Sequence, residues 1–182
     1  MEEHRRPIFL VGMPGSGKST LGRGLSALTG LSFIDLDLYI QGRFSCSVAD
    51  IFARKGEDGF RRIEHNLLHE VGEMQDVIVA CGGGTPCFFD NMDYMLGAGT
   101  VVHLVPQRER LHERLCRRRA HRPAIARMSD PEIYEYIDRT SALRNPVYER
   151  AHLRVESSEL EDRRSIDRTA LSLIKRLFKN NL

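Results

Sequence analysis

The sequence predicts an α/β fold in which a parallel five-stranded sheet is covered by helices on both faces. Three observations carry this. Five short apolar runs of strand length are spread along the 182 residues. Stretches with helical apolar spacing separate them, and that alternation is the mark of β–α–β units whose strands run one way. The first run ends in a glycine-rich turn directly before a helix, at the strand ends where such sheets gather ligands.

Taken in order, Pro7 to Val11 is the first run, closed by Gly12. A buried strand is expected there, and a helix from Lys18 to about Thr29, stopped by Gly30. Phe33-Ile34 gives a second strand. Ser47 is an N-cap type with Asp50 in the first turn, so a helix should run from there to Arg54. Phe60, Ile63, Leu67, Leu68 and Val71 then recur at helical spacing, in a helix opened by Gly56-Glu57-Asp58-Gly59. Val77 to Ala80 is the third strand and enters Cys81 and three glycines, Gly82, Gly83 and Gly84. Thr100 to Val105 is the fourth. Helices are expected around Arg108 to Arg118 and Asp130 to Leu143. Pro146 restricts Asn145 and should break the second of these, leaving Arg144 at a fixed corner. Leu153 to Val155 is the fifth strand, and Ile166, Ala170, Leu173, Ile174 and Leu177 form the apolar stripe of a last helix.

Length and composition fit one domain over residues 1–182. Lys plus Arg number 27 against 25 Asp plus Glu, a net charge of +2. That balance, with no clustered aromatics for base stacking, argues against a nucleic-acid partner. The stretch from Arg108 to Arg127 is nonetheless arginine-rich. It reads either as a solvated helix face or as a cationic cover over a polyphosphate. Cys46, Cys81, Cys87 and Cys116 show no two-residue gap, so neither a zinc knuckle nor a redox pair is expected. The apolar run Ile8 to Val11 is too short for a signal peptide or a membrane span; no membrane partner and a cytoplasmic location with reduced thiols are expected.

Chemistry concentrates in Gly12-Met-Pro-Gly15-Ser16-Gly17-Lys18-Ser19, a full G-x-x-x-x-G-K-[ST] between strand and helix. Glycines let backbone N–H groups wrap phosphates, and the helix N-terminus adds a favourable dipole. Lys18 has the reach for β- and γ-phosphates, and the Ser19 hydroxyl suits Mg²⁺. Many nucleotide-binding proteins share this loop, so it leaves the acceptor open. Asp35 and Asp37 follow the second strand; in an extended segment they point the same way. One could hold Mg²⁺ and the other orient a hydroxyl, or the pair could cap a short helix begun by Asp37. The loop upstream favours the first reading. Arg61 and Arg62 stand early in a helix, where the dipole prefers acids, which hints at another task for one of them, such as holding a carboxylate. Alone, Arg144 reads as a surface residue and Gly82 to Gly84 as a flexible turn.

Together these residues resemble the shikimate kinase family, within the nucleoside-monophosphate-kinase-like P-loop group. The resemblance runs from Ile8 to about Leu177. It rests on Phe33-Ile-Asp35-Leu-Asp37, Ile51-Phe52, Gly56-Glu57, Phe60-Arg61, Gly82-Gly-Gly84, Arg122-Pro123 and Arg144-x-x-x-Tyr148. It implies a three-layer α/β/α P-loop kinase fold with a mobile lid at about Leu115 to Met128 and a substrate-binding segment at about Asp37 to His65. It implies ATP bound by Gly12, Gly15, Ser16, Gly17, Lys18, Ser19, Thr20, Arg117 and the lid's Arg122, and Mg²⁺ served by Ser19 and Asp35. Shikimate would be held by Arg61, Arg144, Gly82, Gly83 and Gly84, with Asp37 as base. Lys18, Asp37 and Arg122 would be the catalytic set. The implied reaction is ATP-dependent phosphorylation of the shikimate 3-hydroxyl, a step towards chorismate and the aromatic amino acids, carried out by a monomer. A gluconate-type kinase and a non-catalytic nucleotide-binding module are the alternatives. Gln41, Cys81 and Pro14 depart from the family's usual Glu, Thr and Gly or Ala.

Overall fold

The computed structural model describes residues 5–121 and 124–178. Its sheet contains β1 (Ile8–Val11), β2 (Ser32–Asp35), β3 (Val77–Ala80), β4 (Thr100–Val105) and β5 (Leu153–Glu156). All pairings are parallel, in the order β2-β3-β1-β4-β5. The helices are α1 (Lys18–Thr29), α2 (Leu36–Phe44), α3 (Val48–Gly72), α4 (Asn91–Ala98), α5 (Arg108–Arg117), α6 (Asp130–Tyr148) and α7 (Arg163–Leu177).

β1 is buried along its whole length, as an apolar run inside a two-sided sheet must be. Its period-two alternation divides the core. Ile8 and Leu10 join Leu21, Leu25 and Leu173 on the face covered by α1 and α7. Phe9 and Val11 join Leu68, Met95, Leu115 and Ile137 on the other face. β1 also pairs with β3 on one side and β4 on the other, so strand order reverses at its carboxyl end. A crevice opens there by topology alone, and the Gly12–Ser19 loop leaves β1 at that point.

Local rules explain most boundaries. Gly30 is left-handed (φ 75°) and returns its N–H to Ser26, closing α1. Ser47 and Asp50 form a reciprocal capping box at the start of α3, and Ser129 and Glu132 do the same for α6. The two helices expected on either side of Gly56 form one element with a kink: Gly56 at φ 69° breaks the helical path without separating the halves.

Pro146 does not break α6, contrary to expectation. The helix continues through it to Tyr148. A proline there removes one backbone hydrogen bond. The last turn holds because Tyr148 is fully buried and its hydroxyl donates to the Gly83 carbonyl. Arg144 therefore projects from a continuous helix rather than from a corner.

Candidate active site

The crevice at the end of β1 is a pocket of about 480 Å³ lined by the glycine loop, the end of β2, the start of the triple glycine and α5. The loop's backbone demands glycine at its first position. Gly12 sits at φ 140°, and a Cβ there would come within 2.6 Å of the Leu104 carbonyl oxygen. Gly17, left-handed at φ 96°, turns the chain into α1. Lys18 is buried and donates from Nζ to the carbonyls of Gly12 (2.8 Å) and Met13 (2.9 Å). Gly15, Gly17, Lys18, Ser19 and Thr20 all face the pocket. Ser16 is buried beneath it, within reach of Lys18 Nζ.

β2 ends at Asp35 and α2 begins at Leu36, so the two carboxylates are not on one extended segment. Both nevertheless line the pocket. The helix start brings them there: Asp35 is the N-cap of α2, accepting from the Leu38 N–H, and Asp37 lies in its first turn. Capping and site placement are thus one arrangement. Asp35 Oδ2 also accepts from Ser19 Oγ at 2.6 Å, tying α1 to β2. Asp37 is pushed up to about 6, first by burial and then by the charges of Glu64 and Asp35, against the opposing pull of Lys18 and Arg61.

The triple glycine is a ledge on which the remaining residues converge. A Cβ on Gly82 would lie 3.0 Å from Asp37 Oδ1 and 2.9 Å from Glu64 Oε1. On Gly83 it would lie 3.2 Å from Arg144 Nη1, and on Gly84 2.7 Å from Arg61 Nη2. Arg61 is held firmly: Nη1 donates to Glu64 Oε2 at 2.7 Å, and the guanidinium lies 4.0 Å from the centre of the Phe88 ring. Its Nε is buried without a hydrogen-bond partner. Arg62 is solvent-exposed, which assigns the inward-facing position to Arg61.

Glu64 was absent from the sequence-based set. It is 1% exposed and accepts from Thr85 Oγ1 (2.6 Å) as well as from Arg61. Its signal was present: a carboxylate four residues after Phe60 and three before Leu67 stands in the apolar stripe, where an unpaired charge is prohibitively costly. The arginine-rich stretch divides between both readings. Arg108 pairs with Asp138, Arg110 with Glu113 and Arg119 with Asp130. Arg114, Arg117 and Arg118 line the pocket, where Arg114 is fixed by the Ser157 and Ser158 carbonyls and by Glu161. Leu160 and Glu161 complete that side. Arg122 lies outside the described residues.

Fold and loop together define a P-loop nucleotide-binding protein. Comparison with known proteins narrows the class. A sequence profile described as shikimate kinase matches residues 14–175. A curated shikimate kinase from Phocaeicola vulgatus is 45% identical over 172 residues, covering 94% of this chain and 98% of that protein. The crystal structure of shikimate kinase from Bacteroides thetaiotaomicron superimposes with a TM-score of 0.91 at 39% identity, over 94% of this chain and 98% of its own. Shikimate kinase from Acinetobacter baumannii, solved in complex with shikimate, gives 0.84 at 29% identity, over 98% and 96%. The chain belongs to the shikimate kinase family.

Proposed function

We propose that this chain transfers the γ-phosphoryl group of ATP to the 3-hydroxyl of shikimate. The observation that carries the reading is the glycine ledge. Three consecutive residues meet the Asp37 and Glu64 carboxylates at Gly82, the Arg144 guanidinium at Gly83 and the Arg61 guanidinium at Gly84. Two Cα steps span at most about 7.6 Å, the scale of a six-membered ring bearing both a carboxylate and a hydroxyl. Arg61 and Arg144 come from different helices and approach adjacent glycines, Gly84 and Gly83, which suits a carboxylate held from two directions. Asp37 lies at the other end, beside Lys18 and the phosphate pocket.

In this mechanism the loop N–H groups and Lys18 hold the β- and γ-phosphates, with Lys18 exchanging two loop carbonyls for phosphate oxygens. Asp37 accepts the hydroxyl proton as the oxygen attacks in line. Its raised pKa still leaves it mainly ionised at neutral pH. The proton thus passes from the acceptor hydroxyl to the Asp37 carboxylate, and the released ADP carries the leaving oxygen. Arg114 and Arg117 flank the pocket and offset the phosphate charge. The donor set around Ser19 fits Mg²⁺: a hydroxyl and a carboxylate, both hard oxygens, already 2.6 Å apart. When bound, Mg²⁺ offsets charge on the phosphates. The family uses ATP; no described helix is long and apolar enough to cross a membrane, and a cytoplasmic location accords with that.

The reading is tested by ADP release with shikimate, with gluconate and without acceptor. Shikimate-dependent release is expected; release that ignores shikimate, or prefers gluconate, contradicts it.

Three variants test the ledge. Each charge-assisted bond is worth about 1.5–3 kcal/mol. Arg61→Lys and Arg144→Lys are therefore each expected to weaken shikimate binding by roughly tenfold to a hundredfold, since an ammonium lacks the planar fork. Gly84→Ala places a methyl against the pinned Arg61 guanidinium. It is expected to raise the shikimate dissociation constant by about tenfold or more while nucleotide affinity stays unchanged, as measured by calorimetry with each ligand.

A further inference from the structure

Away from the phosphate pocket, His65 and His69 stand one turn apart on α3, and Asp90 precedes α4. One ligand atom from each lies within 4.8 Å of the others, and none of the three lines the phosphate pocket. We propose that His65, His69 and Asp90 form a binding site for a divalent transition-metal ion of the Zn²⁺ type.

Four observations support it. The i,i+4 spacing puts both imidazoles on one helix face, and their rings lie 4.4 Å apart between centres. Imidazole and carboxylate are the donors that Zn²⁺ accepts. His65 is already oriented from behind: its Nδ1 lies 2.7 Å from Asn91 Oδ1, while the buried Asn91 donates from Nδ2 to the Thr85 carbonyl. That second bond fixes the amide so that Oδ1 accepts from His65, leaving the lone pair on Nε2. Outer contacts of this type orient metal-binding imidazoles. His69 Nε2 is buried without a hydrogen-bond partner. Finally, Asp90 occupies the N-cap position of α4 yet makes no side-chain cap; its carboxylate lies 3.8 Å from the Nδ1 edge of His65, and a change of its exposed rotamer carries it towards an ion on Nε2.

Stacking of His69 on Tyr94 explains that ring's placement but neither the unpartnered Nε2 nor the uncapped Asp90. Ligands around a tetrahedral Zn²⁺ at about 2.0–2.1 Å must sit closer together than 4.8 Å. Asp90, with its side chain 69% exposed, has the freedom to swing in.

The test is a Zn²⁺ titration of the intact protein in excess Mg²⁺, followed by calorimetry, with Co²⁺ as a spectroscopic substitute. One Zn²⁺ per chain is expected, with a visible Co²⁺ spectrum lacking a thiolate charge-transfer band. His65→Gln and His69→Gln should each weaken binding by at least about tenfold, and the exposed Asp90→Asn severalfold. Zn²⁺ should raise the melting temperature of the unaltered protein but not of the double histidine variant. The proposal is overturned if no Zn²⁺ binds, if binding is unchanged in all three variants, or if a thiolate band moves the site to a cysteine. Should a histidine variant fail to fold, Asp90→Asn and the Co²⁺ spectrum of the unaltered protein still decide.

Discussion

Asp37→Asn is expected to lower kcat with shikimate by about 10²- to 10⁴-fold, the contribution of a positioned general base, while shikimate affinity changes little. Asn keeps the shape but cannot take the proton; Arg61 and Arg144, which hold the carboxylate end, are untouched. The same substitution should not destabilise the fold. The Asp37 pKa is raised from 3.8 to about 6, chiefly by burial and by Glu64. A carboxyl raised in this way contributes stability below the unfolded value, near pH 3.8, and that contribution is lost as pH rises through about 6. At pH 7.5 the ionised Asp37 is therefore a cost, and the Asn variant should melt at the same temperature or higher. Steady-state kinetics and thermal melts on one preparation check both halves. Unchanged kcat would remove Asp37 from the chemistry; a large drop in melting temperature would contradict the electrostatic account.

Lys18→Ala is the second large effect. Removing a cation aimed at developing phosphate charge should cost about 10²–10³ in kcat. In the free protein Lys18 Nζ bridges the Gly12 and Met13 carbonyls. Lys18 itself lines the phosphate pocket, so its truncation enlarges a polar cavity rather than the apolar core, and the fold should survive. Retained turnover would contradict the role of the loop; loss of the folded circular-dichroism signal would show that Lys18 holds the loop together instead.

Where one local rule acts unopposed, the sequence and the structure agree. β3 and β4 begin and end where the apolar runs do, and α1 runs from Lys18 to the left-handed Gly30. Disagreements arise where long-range packing overrides the local rule. Pro146 reads as a helix end, but burial of Tyr148 under the glycine ledge carries α6 past it. Asp35 and Asp37 read as neighbours on a strand, although Asp35 caps a helix. α4 is not legible because its eight residues include Gly97, stop at Gly99 and bury only Asn91, Met92 and Met95, too few for a helical period. The loop, both aspartates and Arg61 are legible from residue type and spacing, whereas Arg144 and the glycine ledge, which alone read as a surface residue and a flexible turn, enter the site only through the family resemblance. Their convergence, implied by the resemblance, cannot be read from spacing, because it depends on β1, β3 and α6 meeting in space. Glu64 escaped because its meaning rests on a partner, Thr85, twenty-one residues away.

The central claim is that Asp37 and the arginine pair fix one hydroxyl of the acceptor against the γ-phosphate. The most direct measurement is the position of the phosphate in the product, read by two-dimensional proton–phosphorus NMR after turnover of shikimate with ATP and Mg²⁺. A single phosphorylated species, coupled to the ring proton at C3, is the predicted result. Phosphate on another hydroxyl, a mixture of positions, or ADP formed without any phosphorylated shikimate would contradict the account.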